Sequence, residues 1–239
     1  MNTFIIAFTQ SDVFGKLIML ALVALSMICW ILLLHKAYVV RQVVRLSSDF
    51  EQAVERGRAS LLSLEMQTLP MPKTAAIPHP FAQIFATLKA KTVEVLNKNH
   101  FFLTEKPGAK VYLTAADLEL LEAHVGAHIL AQSKMLEKNL YILSTIVTLA
   151  PFIGLLGTVW GILVTFSGLQ GGGAVSSNSS ILGGLSTALA TTVLGLVIAI
   201  PALVAYNYLR NSLKNYVLDM DNFLTKLLSQ IELQYRKVE

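Results

Sequence analysis

NLYILSTIVTLAPFIGLLGTVWGILVTFSGLQGGGAVSSNSSILGGLSTALATTVLGLVIAIPALVAYNYL, residues 139–209, contains no Asp, Glu, Lys, Arg or His. A helix needs about 20 apolar residues to cross the hydrocarbon of a bilayer. The stretch therefore has room for two crossings and a turn. Gly171, Gly172 and Gly173, followed by Ser176, Ser177, Asn178, Ser179 and Ser180, mark the turn, because such residues favour turns over continued helix. The expected layout is a transmembrane helix over 139–169, a turn over 170–180 and a further transmembrane helix over 181–209.

Working outward, Leu17–Leu34 is a second uncharged apolar run, with Trp30 near its end and His35 and Lys36 just beyond. An aromatic residue and basic residues at the end of an apolar run are an interfacial pattern, so the first membrane helix is predicted at 17–35. A cleaved signal peptide is the competing reading. It is disfavoured because Lys16 is the sole early basic residue and no small-x-small site follows.

Composition agrees with a membrane chain. Hydrophobic residues make up 54% and charged residues 14%, against about 25% charged in a soluble domain. The formal net charge is +4, but the basic residues flank apolar segments rather than clustering on a soluble face, so no nucleic-acid partner is indicated. The single cysteine, Cys29, lies in the first apolar run and cannot form an internal disulfide.

Of the 19 Lys and Arg residues, Lys16 alone precedes the first span; the rest fall between spans one and two or after span three. The positive-inside rule assigns 36–138 and 210–239 to the cytoplasm. It leaves residues 1–16 and the 170–180 turn facing outward.

Within 36–65, Val40, Val43, Val44, Leu46, Phe50 and Val54 roughly follow helical spacing, and no breaker precedes Gly57. Pro70, Pro72, Pro78 and Pro80 then interrupt, a short helix is expected over 81–96, and 97–113 reads as a linker. Thr114 is a candidate N-cap for a helix with a stripe of Leu118, Leu121, Val125, Ile129, Gln132 and Leu136. No strand-length alternation is present. The fold class is an all-α membrane protein: three transmembrane helices with long helical cytoplasmic extensions. The cytoplasmic segment is too broken to promise a core of its own.

Candidate chemistry is sparse. His124 and His128 share a helix face, but Val125 stands where the zinc-protease pattern needs Glu, so no metal site and no catalytic residue are assigned and no cofactor is expected. Gly154, Gly157 and Gly161 lack the Lys of a phosphate loop and read, with Gly195, as surfaces for close helix packing. Pro151 and Pro201 lie inside the membrane helices and are hinge candidates, with simple helix shape as the alternative. Thr158 and Thr192 each lie some ten residues from the outer end of their helix, roughly 15 Å deep at the helical rise. Two hydroxyls at one depth suit either a polar lining or an interhelical hydrogen bond. The apolar spans carry no carboxylate. A proton pathway normally needs an ionisable group within the membrane, so a conducting complex would take it from a partner.

APFIGLLGTVWG at 150–161 resembles the second-helix signature of the TolQ/ExbB/MotA family, and GLSTALATTVLGL at 184–196 with AIPA at 199–202 resembles its third. The resemblance covers most of 12–50 and 114–230 and little of 66–113. KLIML at 16–20 with Ser26 and Trp30, and AYN at 205–207 with DNF at 221–223, lean toward the TolQ branch.

Membership implies a multi-pass protein of the bacterial inner membrane, not an enzyme, acting as the channel subunit of a proton-driven motor. It implies a homo-oligomer, pentameric in the family, around a single-span TolR/ExbD-like partner whose membrane Asp carries the proton, with a TolA/TonB-like protein as a further partner. The family's pore threonines fall on Thr158 and Thr192. Its usual third-helix Glu is replaced here by Thr187, which joins them as a candidate pathway residue.

Overall fold

Thr114 begins a helix as its sequence context suggests, and the reason is local. Its hydroxyl accepts the amide of Asp117 (3.2 Å) while the Asp117 carboxylate accepts the Thr114 amide (2.9 Å), a reciprocal capping box that satisfies two orphan donors. The computed structural model describes residues 2–64, 66–71, 77–102, 112–170 and 178–235. Among them the helices are α1 (Asn2–Gln10), α2 (Val13–Arg56), α3 (Pro80–Phe102), α4 (Ala115–Glu137), α5 (Leu140–Gln170) and α6 (Asn178–Tyr235), with 3₁₀ turns at Arg58–Ser63 and Met66–Thr68 and no strand. Helices α2, α5 and α6 are long and apolar enough to cross a membrane.

The described residues fall into two compact units: 1–36 with 139–210, and 37–138 with 211–239. In the first, Asp12 caps α2, its Oδ1 accepting the Gly15 amide at 3.0 Å. Short apolar α1 brings Ala7 into a buried cluster with Met19 and Ala190. Sequence periodicity did not reveal α1, which is too short to show a period. Lys138 and Asn139 separate α4 from α5, and Asn139 takes a positive φ of 70°. Asn is among the few non-glycine residues that tolerate this left-handed conformation.

The second unit has a core that the broken sequence of 36–138 did not promise. Phe50 is fully buried, with the rings of His79, Phe85 and Phe223 packed edge-on around it. Phe81 stacks on Phe223 at 4.5 Å and lies against Tyr216. Tyr216 and Ser47 share a buried hydrogen bond of 2.6 Å, and burial pushes the Tyr216 phenol well above its ordinary pKa. The α4 stripe buries Leu121, Val125, Ile129, Gln132 and Leu136, and Gln132 donates to Gln83 of α3.

Helix α3 runs six residues beyond the expected end at 96, so 97–102 is helix rather than linker. No Gly or Pro interrupts it there, and Asn99 is held by the α4 cap through Asp117 Oδ2 (3.1 Å). Pro72, most of the expected linker and the Gly/Ser turn at 171–177 lie outside the described residues.

Truncating Phe50 to Ala is expected to lower stability by about 3–5 kcal/mol, the usual loss for a buried aromatic. Leu233→Ala, at a position 86% exposed, should change little; denaturant titration of the purified protein followed by helical circular dichroism compares the two. Buried His79 accepts the Ala82 amide on Nδ1, and burial holds its pKa below the ordinary value. Its contribution is complete above pH about 6.5 and is lost as pH falls toward the depressed folded value. Thermal stability should therefore decline below that pH, and less steeply in His79→Asn.

Candidate functional site

Helices α5 and α6 meet through residues that lack side-chain bulk. A Cβ added at Gly195 would stand 2.6 Å from the carbonyl oxygen of Ala150, and one at Gly154 would stand 2.9 Å from that of Thr191. Both obstacles are backbone, which cannot swing aside. One added at Gly157 would strike the Thr191 hydroxyl, and one at Gly161 the methyl of Ala188. Four glycines therefore set the spacing of the pair, the close approach typical of small-residue packing in membranes.

That spacing brings hydroxyls across the interface. Thr191 is fully buried, its Oγ1 2.7 Å from the carbonyl of Ala188 on its own helix and 3.0 Å from that of Gly154 on the facing one. Thr192 Oγ1 also reaches Gly154, at 3.1 Å. Thr158 Oγ1 lies 3.3 Å from the carbonyls of Gly154 and Ala188, and the Thr158 and Thr192 hydroxyls bond directly to each other. Thr158 and Thr192 are half-buried. Each hydroxyl carries one proton and two lone pairs. The pair can thus rotate to donate to an anionic oxygen or to accept from a protonated one.

The remaining candidates sit apart from this pair. Thr187 donates to its own helix at Gly183 O (2.9 Å). It lines a cavity of about 510 Å³ together with Ser11, Asp12, Trp160, Thr165 and Thr191. Pro151 and Pro201 both lie within unbroken helix, each removing one backbone donor. The rings of His124 and His128 are 5.9 Å apart and exposed, and no group of three metal-ligating side chains occurs among the described residues.

Two features escaped sequence reasoning. Thr191 looked like any other hydroxyl in an apolar helix, yet it is the one that fills the space over Gly157. Asp12 falls, by sequence, in the outward-facing 1–16 segment. Its Oδ2 accepts the Trp160 indole N–H at 2.9 Å, and Phe14 packs on the same indole at 4.4 Å. The indole hydrogen bond is the main influence holding the Asp12 carboxyl below its ordinary pKa. A partner 148 positions away leaves no local sequence signal.

A profile of the MotA/TolQ/ExbB proton channel family matches residues 89–222. The Tol-Pal system protein TolQ of Pseudomonas aeruginosa is 28% identical over 199 residues, covering 83% of this chain and 79% of that protein. The biopolymer transport protein ExbB of Pseudomonas putida is also 28% identical, over 87% of this chain and 57% of that protein. The ExbB of Aquifex aeolicus is 44% identical over 88 residues, 37% of this chain and 59% of that protein. The matches therefore span less than two thirds of either ExbB relative.

Gly195→Leu should force α5 and α6 apart and abolish recovery of folded protein from detergent-solubilised membranes. Gly168, where an added Cβ meets nothing within 4 Å, should accept Ala with no loss, as judged by size-exclusion yield and melting temperature.

Proposed function

This chain belongs to the MotA/TolQ/ExbB proton channel family, and we propose that it is the channel-forming subunit of an inner-membrane motor of the TolQ kind, driven by the proton-motive force. The observation that carries the reading is the Thr158–Thr192 pair: two amphoteric hydroxyls held together between spans that contain no acid of their own. The titrating group then comes from a single-span TolR/ExbD-like partner with an Asp in its membrane helix. When that Asp is ionised, a hydroxyl donates to it; when it is protonated, a hydroxyl accepts from it. This lowers the penalty of a charge in a low-dielectric setting. Each proton crossing 100 mV releases about 2.3 kcal/mol, enough to bias the partner between orientations.

Copies of this chain, five by the family resemblance, form the ring. The exposed apolar flanks of α2, α5 and α6 supply surface for lipid and for neighbouring copies. The basic residues support a cytoplasmic 36–138 segment and C-terminus and an outward N-terminus. The TolQ assignment rests on KLIML at 16–20, AYN at 205–207 and DNF at 221–223. An ExbB-like role in powering TonB-dependent uptake is the close alternative.

One observation favours a second reading, a non-conducting scaffold. Thr158 and Thr192 already bond within the subunit, as purely structural hydroxyls would. Thr192→Val separates the two. It removes the two interhelical hydrogen bonds of Thr192, each averaging about 0.6 kcal/mol in membranes, so assembly should survive. The channel reading expects proton-dependent envelope function to fall at least tenfold with normal expression and partner co-purification. Full activity in that variant would favour the scaffold.

A further inference from the structure

The cavity lined by Thr187 and Thr191 has one titratable wall residue among those described, and it is Asp12. Few charges face it. Helix α1 and the whole of 139–209 contribute no charged side chain, and on its own element the nearest charge is Lys16. Both carboxylate oxygens hold one donor each, the Trp160 indole and the Gly15 amide. The other polar wall groups include the hydroxyls of Ser11, Thr187 and Thr191. Thr191 is the sequence neighbour of Thr192, and Trp160 lies two residues from Thr158. Neither threonine of the pair lines the cavity, which reaches the same turns of α5 and α6.

We propose that Asp12 is the proton-uptake carboxylate of this chain, collecting protons from the water on the α2 N-terminal side and passing them through the cavity toward Thr158 and Thr192. The proposal rests on the channel reading above. Hydronium protonates one carboxylate oxygen, giving the carboxylic acid and water. The acid then transfers that proton to a carboxylate on the partner helix and returns to the anion; only O–H bonds form and break. An exposed carboxylate on the wall of a cavity raises the local concentration of cations. A carboxyl whose pKa is held down releases its proton readily instead of storing it.

The purely structural alternative is that Asp12 only caps α2 and anchors Trp160. The test uses the complex purified with its natural partner, reconstituted in liposomes with an internal pH-sensitive dye and a potassium diffusion potential. Asp12→Asn keeps an oxygen for the cap but cannot carry the proton, and proton flux should fall at least tenfold. Asp12→Glu should retain most of it. Trp160→Phe removes the indole donor while sparing the carboxylate, so the pH midpoint of flux should move upward, a change that an anchoring role does not produce.

If Asp12→Asn fails to assemble, the Trp160→Phe midpoint decides alone. Wild-type flux in Asp12→Asn, or an unmoved midpoint in Trp160→Phe, overturns the proposal. If Thr192→Val then still abolishes flux, the channel reading stands without Asp12. A wild-type complex that passes no protons overturns both.

Discussion

Backbone contact between α5 and α6 at Gly154 and Gly195 is the constraint from which the site follows. Without side chains there, carbonyls of one helix come within reach of hydroxyls on the other. Hydrocarbon offers no water to satisfy a hydroxyl, so each threonine must find a protein acceptor, and the close approach supplies it. Any side chain at these glycines separates the helices and leaves the hydroxyls to their own backbones. Packing and polar chemistry are in this sense one device: the glycines place the threonines.

The same geometry assigns different work to neighbouring hydroxyls. Thr191 is buried and committed to carbonyls on both helices. Thr192, one position on, is half-buried and paired with Thr158. A step of one residue turns a helical side chain by about 100°, which separates the buried Thr191 from the half-buried Thr192. Thr187 is one helical turn from Thr191 and opens onto the cavity that also holds Asp12. The polar features of this unit thus form two adjoining groups.

The second unit rests on ordinary burial. Phe50, Phe81 and Phe223 come from α2, α3 and α6 and meet ring to ring, while α4 adds its own buried stripe. Three of the prolines expected to break the segment, Pro70, Pro78 and Pro80, punctuate the chain between α2 and α3 without preventing a core. Pro80 itself occupies the first position of α3, where its missing N–H is no loss.

Much of the fold was legible because membranes impose long, simple rules. Uncharged runs located the three apolar helices, and a Thr-x-x-Asp pattern located the start of α4. The family signatures at 150–161 and 184–196 marked the two helices that carry the threonine pair. Helix α1 is too short to show a period, the extension of α3 to Phe102 is a shift of one boundary with no breaker in it, and the phenylalanine core was not legible because it depends on contacts made by residues far apart in the chain. Which segments must leave water and which side chains could carry polar chemistry could be read from the chain alone, because hydropathy and residue type are local properties. Which hydroxyls bond each other, and that Asp12 meets Trp160, emerged from the folded chain alone, because hydrogen bonds depend on distance and direction in space, and a separation of 148 positions carries no record of either.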